Sequence, residues 1–128
     1  MDDFQVDVLV VGAGNAAACA ALAARETGAS VAMLEAAPEE ERGGNSTYPA
    51  GAMRVVFSGV DDLVQLYDLT EDEKRDVDFG SYSADEYLDD MGRVTNYRCD
   101  PPLTDILINR SFETMKWMRS KGVRFQPS

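Results

Sequence analysis

The 128-residue chain contains no histidine, and that single absence removes several chemistries. Zinc and non-haem iron sites lose their commonest nitrogen ligand. Ser-His-Asp and Cys-His catalysis are excluded from these residues, because both need an imidazole base. Cysteine is scarce as well: Cys19 and Cys99 stand far apart, in neither a CxxC nor a metal-ligand spacing. Basic residues are outnumbered, with 12 Lys and Arg against 23 Asp and Glu and a formal net charge of −11. That balance excludes a nucleic-acid binder, whose affinity for phosphate needs clustered Lys and Arg. It leaves room for an anion held locally by backbone amides. No stretch approaches the run of about 18 apolar residues that would insert into a membrane. Met1-Asp2-Asp3-Phe4 carries acid where a signal peptide carries base, so the chain reads as cytoplasmic.

What is present suits one ordinary soluble domain, with 45% apolar and 27% charged residues. Carboxylates crowd residues 61–90, from Asp61 and Asp62 through Glu71, Asp72 and Glu73 to Asp89 and Asp90, and read as a solvated face. Val6 to Val11 is a short, nearly continuous apolar run that predicts a strand buried on both faces, as in a parallel sheet. Gly12-Ala13-Gly14 ends it. The alanine-rich stretch Asn15 to Thr27 predicts a helix, stopped by Gly28. Ser30 to Leu34 is a second strand, ending at Glu35. Strand, glycine turn, helix and strand make a right-handed βαβ crossover.

Beyond Pro38 the chain reads as loop, with a strand expected at Arg54 to Phe57 and a short helix from Asp61 to Tyr67. Thr70 to Ser81 reads as a polar surface excursion. Ser83 with Glu86 forms a capping box for a helix reaching about Tyr97. Asp100-Pro101 opens another helix that runs through Leu103, Ile106, Leu107, Met115 and Met118 to Gly122. Val123-Arg124-Phe125 then begins a strand. The expected class is α/β: a Rossmann-like FAD-binding βαβ unit followed by a helical segment, with an incomplete parallel sheet. Residues 1–59 form the βαβ unit with its glycine-rich flavin loop, and 60–128 an acidic, mostly helical segment of the same incomplete domain. Two strands are too few for a doubly wound domain, so the chain reads as the N-terminal part of a longer protein. Uncovered apolar sheet edges predict association of this part in isolation.

Gly12-x-Gly14-x-x-Ala17 matches the dinucleotide-binding fingerprint in its required place between strand and helix. Gly12 permits the tight turn, Gly14 lets a pyrophosphate approach the backbone, and Ala17 keeps helix close to strand. The turn Gly12, Ala13, Gly14, Asn15, Ala16 and Ala17 therefore presents amides and the positive end of the helix dipole to the phosphates. Glu35, with Ala36 beside it, stands where an acid accepts hydrogen bonds from the adenosine ribose. The same carboxylate repels a 2′-phosphate and disfavours NADP.

A second glycine loop, Arg42-Gly43-Gly44-Asn45-Ser46, separates FAD from NAD, since its amides and the Asn45 and Ser46 side chains can meet the ribityl chain or flavin edge. Ala50-Gly51-Ala52 is a further small-residue segment under the ring system, with Gly51 and Ala52 as cofactor contacts. An NAD-dependent oxidoreductase and a truncated, non-catalytic binding module stay open as alternatives.

These motifs, with the stretches Ser83–Val94 and Thr114–Phe125, resemble the fumarate reductase/succinate dehydrogenase flavoprotein superfamily, and within it the FAD-dependent tricarballylate dehydrogenases. The resemblance implies oxidation or reduction of a C–C bond beside carboxylates, with flavin N5 exchanging hydride and a second group exchanging a proton. It implies a small-molecule carboxylate substrate, a separate electron-acceptor protein and a capping domain. The catalytic arginine and substrate clamps of such enzymes lie outside the matching residues, so no catalytic residue is assigned. Arg54 is a candidate to meet a substrate or flavin oxygen, although a surface or phosphate-facing role is the plainer reading. Several relatives attach FAD through a histidine near this loop; with none here, the flavin is expected to be non-covalent.

Overall fold

The computed structural model describes residues 4–49 and 51–126, which fall into two compact units, Met1–Ala52 and Met53–Ser128. The first unit is the βαβ motif: β1 (Val8–Val11), α1 (Asn15–Glu26) and β2 (Val31–Leu34). The strands pair in parallel with Val8 opposite Val31 and Val11 opposite Leu34. Helix α1 packs on both strands. Alternation along β1 turns Val10 inward to a buried position, while Leu9 and Val11 stay exposed, as do Met33 and Leu34 on β2. Within this unit, α1 covers one side of the sheet. Of the both-faces burial expected from the apolar run, this unit by itself provides one face.

Polar residues close the ends of the motif. Asp7 interrupts the apolar run and clasps Ser30: its Oδ2 accepts from the Ser30 amide at 2.8 Å and hydroxyl at 2.6 Å, and its own amide donates to Ser30 Oγ at 3.0 Å. Both strands are thereby fixed at their starts. Gly28 sits just past α1 at φ +88°, the left-handed position favoured for glycine, and its amide donates to the Arg25 carbonyl.

The second unit is helical. It contains α2 (Val60–Leu63), α3 (Glu71–Asp76), α4 (Ala84–Thr95) and α5 (Pro101–Ser120). Ser83 and Glu86 form the expected reciprocal capping box, and Asp100 caps α5 through the Leu103 amide at 3.0 Å. A second capping box, Thr70 with Glu73, opens α3 where the sequence reads as an irregular excursion. That signal was present in the residues but hidden by the acidic composition.

Two expected strands are not formed. Arg54 to Phe57 reduces to one antiparallel bridge, Phe57 with Tyr82, and Val123–Phe125 is irregular, because neither segment has a ladder partner among the described residues. The core of this unit is Val55, Leu66 and Met115, with Phe57, Tyr67, Phe112 and Phe125 packed around it. On α5 the buried stripe is Thr104, Ile108, Ser111 and Met115, while Leu103, Ile106 and Leu107 are exposed. The stripe follows helical spacing, and its polar members are satisfied. The Thr104 hydroxyl donates to the Asp100 carbonyl at 2.8 Å; that of Ser111 donates to Ile108 at 2.8 Å and accepts from the Val56 amide at 3.1 Å.

Candidate functional site

The site is built where β1, α1 and the segment after β2 converge. Gly12 leaves β1 at φ +112°, a conformation that costs a side-chain-bearing residue strain, and its amide donates to the Leu34 carbonyl at 2.6 Å. A Cβ on Gly12 would lie 3.9 Å from that of Ala17, an ordinary contact, so Gly12 is required by its backbone angle rather than by space. Gly14 differs. Its backbone is extended, at φ −78° and ψ 179°, but a Cβ there would come within 3.2 Å of both the Gly43 carbonyl oxygen and Ser46 Oγ. Gly14 is glycine because the second loop presses against it.

Gly14 is also the N-cap of α1 and offers no side chain to the helix. The acceptor comes from a distance: Ser46 Oγ accepts from the Asn15 amide at 3.0 Å. A hydroxyl that accepts this bond keeps its own proton to donate. The first turn of α1 contains no acid, which leaves the positive end of the dipole uncancelled by the helix's own side chains.

Glu35 ties the pieces together. One carboxylate oxygen, Oε2, accepts from the Ala13 amide at 2.9 Å, and Oε1 accepts from Ala36 at 2.7 Å and Ala37 at 3.0 Å. The Ala37 amide is the largest influence holding the carboxyl below its ordinary range. Desolvation opposes it, and the amides of Ala36, Ala13 and Gly43 lower it further. Glu35 is therefore a carboxylate at neutral pH.

The second loop is a 3₁₀ turn, Gly44–Thr47, entered through Gly43 at φ +103° and Gly44 at φ +53°. Gly43 is doubly constrained, since a Cβ would also lie 2.8 Å from Thr47 Oγ1. The Ser46 amide donates to the Gly43 carbonyl at 3.1 Å, and the Thr47 hydroxyl to that of Arg42 at 3.2 Å. The Arg42 guanidinium pairs with Glu39 at 3.0 Å on the surface. Asn45 is exposed, and its carbonyl accepts from the Tyr48 amide.

The structure thus brings Gly12, Ala13, Gly14, Asn15, Ala16, Ala17, Glu35, Ala36, Gly43 and Ser46 into one cluster, with Arg42, Gly44 and Asn45 on the same loop. Gly51, at φ +75°, and Ala52, whose amide donates to Pro49, form a separate exposed turn. Ala50 lies outside the described residues. In the second unit, the Arg54 guanidinium is held by the Tyr82 hydroxyl at 2.8 Å and by Asp90, which Arg93 also pairs.

The donor set fits a dinucleotide. The Ala13 and Asn15 amides are already taken by Glu35 and Ser46, but the other amides of a helix N-terminus whose own first turn carries no acid suit a pyrophosphate, the side-chain-free Gly14 permits close approach, and a carboxylate at the end of β2 suits ribose hydroxyls. A family model described as FAD binding domain matches residues 7–128. The chain belongs to this FAD-binding family. FAD is accordingly its cofactor.

Among relatives of this FAD-binding chain, a probable fumarate reductase from Shewanella frigidimarina is 35% identical over 121 residues, covering 90% of this chain and 17% of the relative. A vinyl phenol reductase from Lactiplantibacillus plantarum is 31% identical, covering 94% of this chain and 21% of its own length. A urocanate reductase from Eggerthella lenta is 32% identical, covering 95% and 18%. The chain therefore spans about a fifth of the length of the curated relatives it matches. No solved structure matches it. Among the described residues, no helix is long and apolar enough to cross a membrane.

Two roles were not anticipated from the residues: Ser46 as the cap of α1, and Glu35 as a clasp for backbone amides. A signal for the first existed, because a helix opening on Gly14 needs an acceptor from elsewhere.

Proposed function

We propose that this chain is the FAD-binding part of a flavin-dependent oxidoreductase that reduces, or forms, a carbon–carbon double bond conjugated with a carboxylate or an aromatic ring. The observation that carries the reading is the junction of the glycine turn, Glu35 and the Gly43–Ser46 loop, a cradle long enough in chain to serve both halves of a dinucleotide. The relatives are named for fumarate, urocanate and vinyl phenol. Fumarate and urocanate are unsaturated carboxylates, whereas vinyl phenol has no carboxylate, so the shared element is a carbon–carbon double bond conjugated with a neighbouring π system. Oxidation of tricarballylate is the same bond change in reverse and is the specific substrate reading we favour on motif resemblance.

Bound FAD supplies two-electron transfer. The chain's own residues bind and orient: the α1 amides take the pyrophosphate, Glu35 takes the ribose hydroxyls, and the Ser46 hydroxyl, with its oxygen already accepting from Asn15, donates its proton toward the cofactor. These residues hold no histidine for a covalent link, and the reading takes the flavin as non-covalent. A cytoplasmic location and a separate electron-acceptor protein complete the proposal.

The test is anaerobic oxidation of a reduced viologen dye by the FAD-loaded enzyme in which this part is joined to its substrate-binding and catalytic residues, with fumarate, urocanate or a vinyl phenol, and reduction of an acceptor dye with tricarballylate. Turnover that requires both FAD and one of these substrates is expected. Tight FAD binding without turnover on any of them would favour a non-catalytic FAD-binding module instead.

A further inference from the structure

The Glu35 carboxylate does more than the ribose contact requires. A carboxylate offers about four acceptor positions. Here Oε1 takes two amides, Ala36 and Ala37, Oε2 takes that of Ala13, 22 residues back in the chain, and the Gly43 amide of the second loop adds its influence on the carboxylate. Ala13 lies between the two glycines that shape the phosphate turn. Ala13 belongs to neither β1 nor α1, so its amide has no place in the strand ladder or the helix. The adjoining Gly12 is already tied to β2 through the Leu34 carbonyl, so Glu35 extends the β1–β2 ladder by one further link, around the corner and into the turn.

The same carboxylate fixes the first two residues of the segment leading to the second loop. That loop reaches back to α1 through Ser46 and lies against Gly14. One anion therefore holds both walls of the cradle.

We propose that Glu35 is a positioning residue for the phosphate turn as well as a ribose ligand, shaping the pyrophosphate site before the cofactor arrives. The proposal rests on the FAD reading above and deepens it. Removing the carboxylate should weaken binding of the pyrophosphate even when no ribose hydroxyl is present to be recognised. Glutamine is the informative replacement. Its carbonyl can keep the amides on one side, but its NH₂ meets N–H donors on the other, so one wall is lost while side-chain shape is kept.

The experiment compares wild type, Glu35→Gln and Glu35→Ala against two ligands, FAD and an FAD analogue whose adenosine ribose lacks the 2′- and 3′-hydroxyls. The expected result is that both variants bind the analogue about tenfold or more weakly than wild type does, the scale of one charge-assisted hydrogen bond. Equal affinity of wild type and variants for the analogue, with a loss confined to FAD, would overturn the proposal and leave Glu35 as a ribose ligand only. Failure of wild type to bind FAD itself is a separate outcome that removes the underlying reading and the proposal with it.

Amide hydrogen exchange on the cofactor-free protein covers the case in which Glu35→Ala does not fold. The Ala13 and Ala37 amides should exchange faster in Glu35→Gln than in wild type, with that of Val10 unchanged. In wild type their protection should fall away only at pH below the usual carboxylate range. Identical exchange at Ala13 and Ala37 in the two proteins would contradict the proposal.

Discussion

Substituting alanine at Gly14 tests whether the two glycine loops form one site. The backbone there is extended, so alanine suffers no dihedral strain. The cost comes from the new Cβ, placed 3.2 Å from both the Gly43 carbonyl oxygen and Ser46 Oγ. Overpacking of this kind costs about 1–3 kcal/mol if nothing moves. The second loop is short and exposed, and it can relieve the contact by retreating a few tenths of an ångström. That retreat stretches the Asn15–Ser46 hydrogen bond, which contributes about 1 kcal/mol. The cofactor-free protein relaxes in this way, but bound FAD requires the loop in place, so the penalty appears in affinity.

An effect of about 2 kcal/mol corresponds to roughly thirtyfold weaker binding. Gly28→Ala is the control: Gly28 has φ +88° and nothing within 4 Å of an added Cβ, so its cost of about 1–2 kcal/mol is backbone strain alone and falls on stability. FAD titration followed by flavin fluorescence, with urea unfolding of the cofactor-free proteins, separates the two. Gly14→Ala binding FAD within threefold of wild type, or Gly28→Ala losing as much affinity as Gly14→Ala, would refute the reasoning.

Three further outcomes follow from the second unit. Leu66 is 1% exposed at the centre of its core, so Leu66→Ala should lower the unfolding free energy by about 3 kcal/mol in urea titration. A loss below about 1 kcal/mol would show that the cluster is not the core of this unit. Ser83→Ala removes the acceptor for the Glu86 amide and should cost about 1 kcal/mol, with faster amide exchange confined to the first turn of α4. The third concerns pH. Hydrogen bonds from Arg93 first, then Tyr82 and Arg54, hold the Asp90 carboxyl down from 3.8 to about 2. Because the folded value is the lower one, this stabilisation is complete above pH about 3.8 and disappears as pH falls through about 2. Asp90→Asn should therefore flatten the acid limb of the stability profile in that window; an unchanged limb would place the acid sensitivity elsewhere.

The first unit was legible because its signals are local and of different kinds that agree. β-Branched residues, Gly12 and Gly14, alanines at helical spacing, Gly28 and Glu35 each specify a backbone state, and together they permit one topology. The role of Asp7, the one polar residue in the first apolar run, is set by its bonds to Ser30, which residue type does not specify. The second unit was less legible. Its acidic run masked the Thr70–Glu73 box, and Arg54–Phe57 has strand composition without a strand beside it. On α5, the apolar Leu103 and Ile106 are exposed, while Thr104 and Ser111 are buried with their hydroxyls bonded to carbonyls one turn back. Within the site, a motif specifies which residues occur but not which amide bonds which oxygen. The links from Glu35 to Ala13 and from Ser46 to Asn15 span long separations in sequence, and only folding brings them together.

The central claim is that the glycine turn, Glu35 and the Gly43–Ser46 loop bind FAD as one non-covalent site. Titrating the cofactor-free protein with FAD, and competing with ADP, NAD and NADP, tests it directly. The account predicts saturable binding to a single class of site, displacement by ADP, little competition from NADP, and release of all flavin on denaturation. Saturable NAD binding without FAD binding, or flavin that stays attached to the denatured chain, would contradict it.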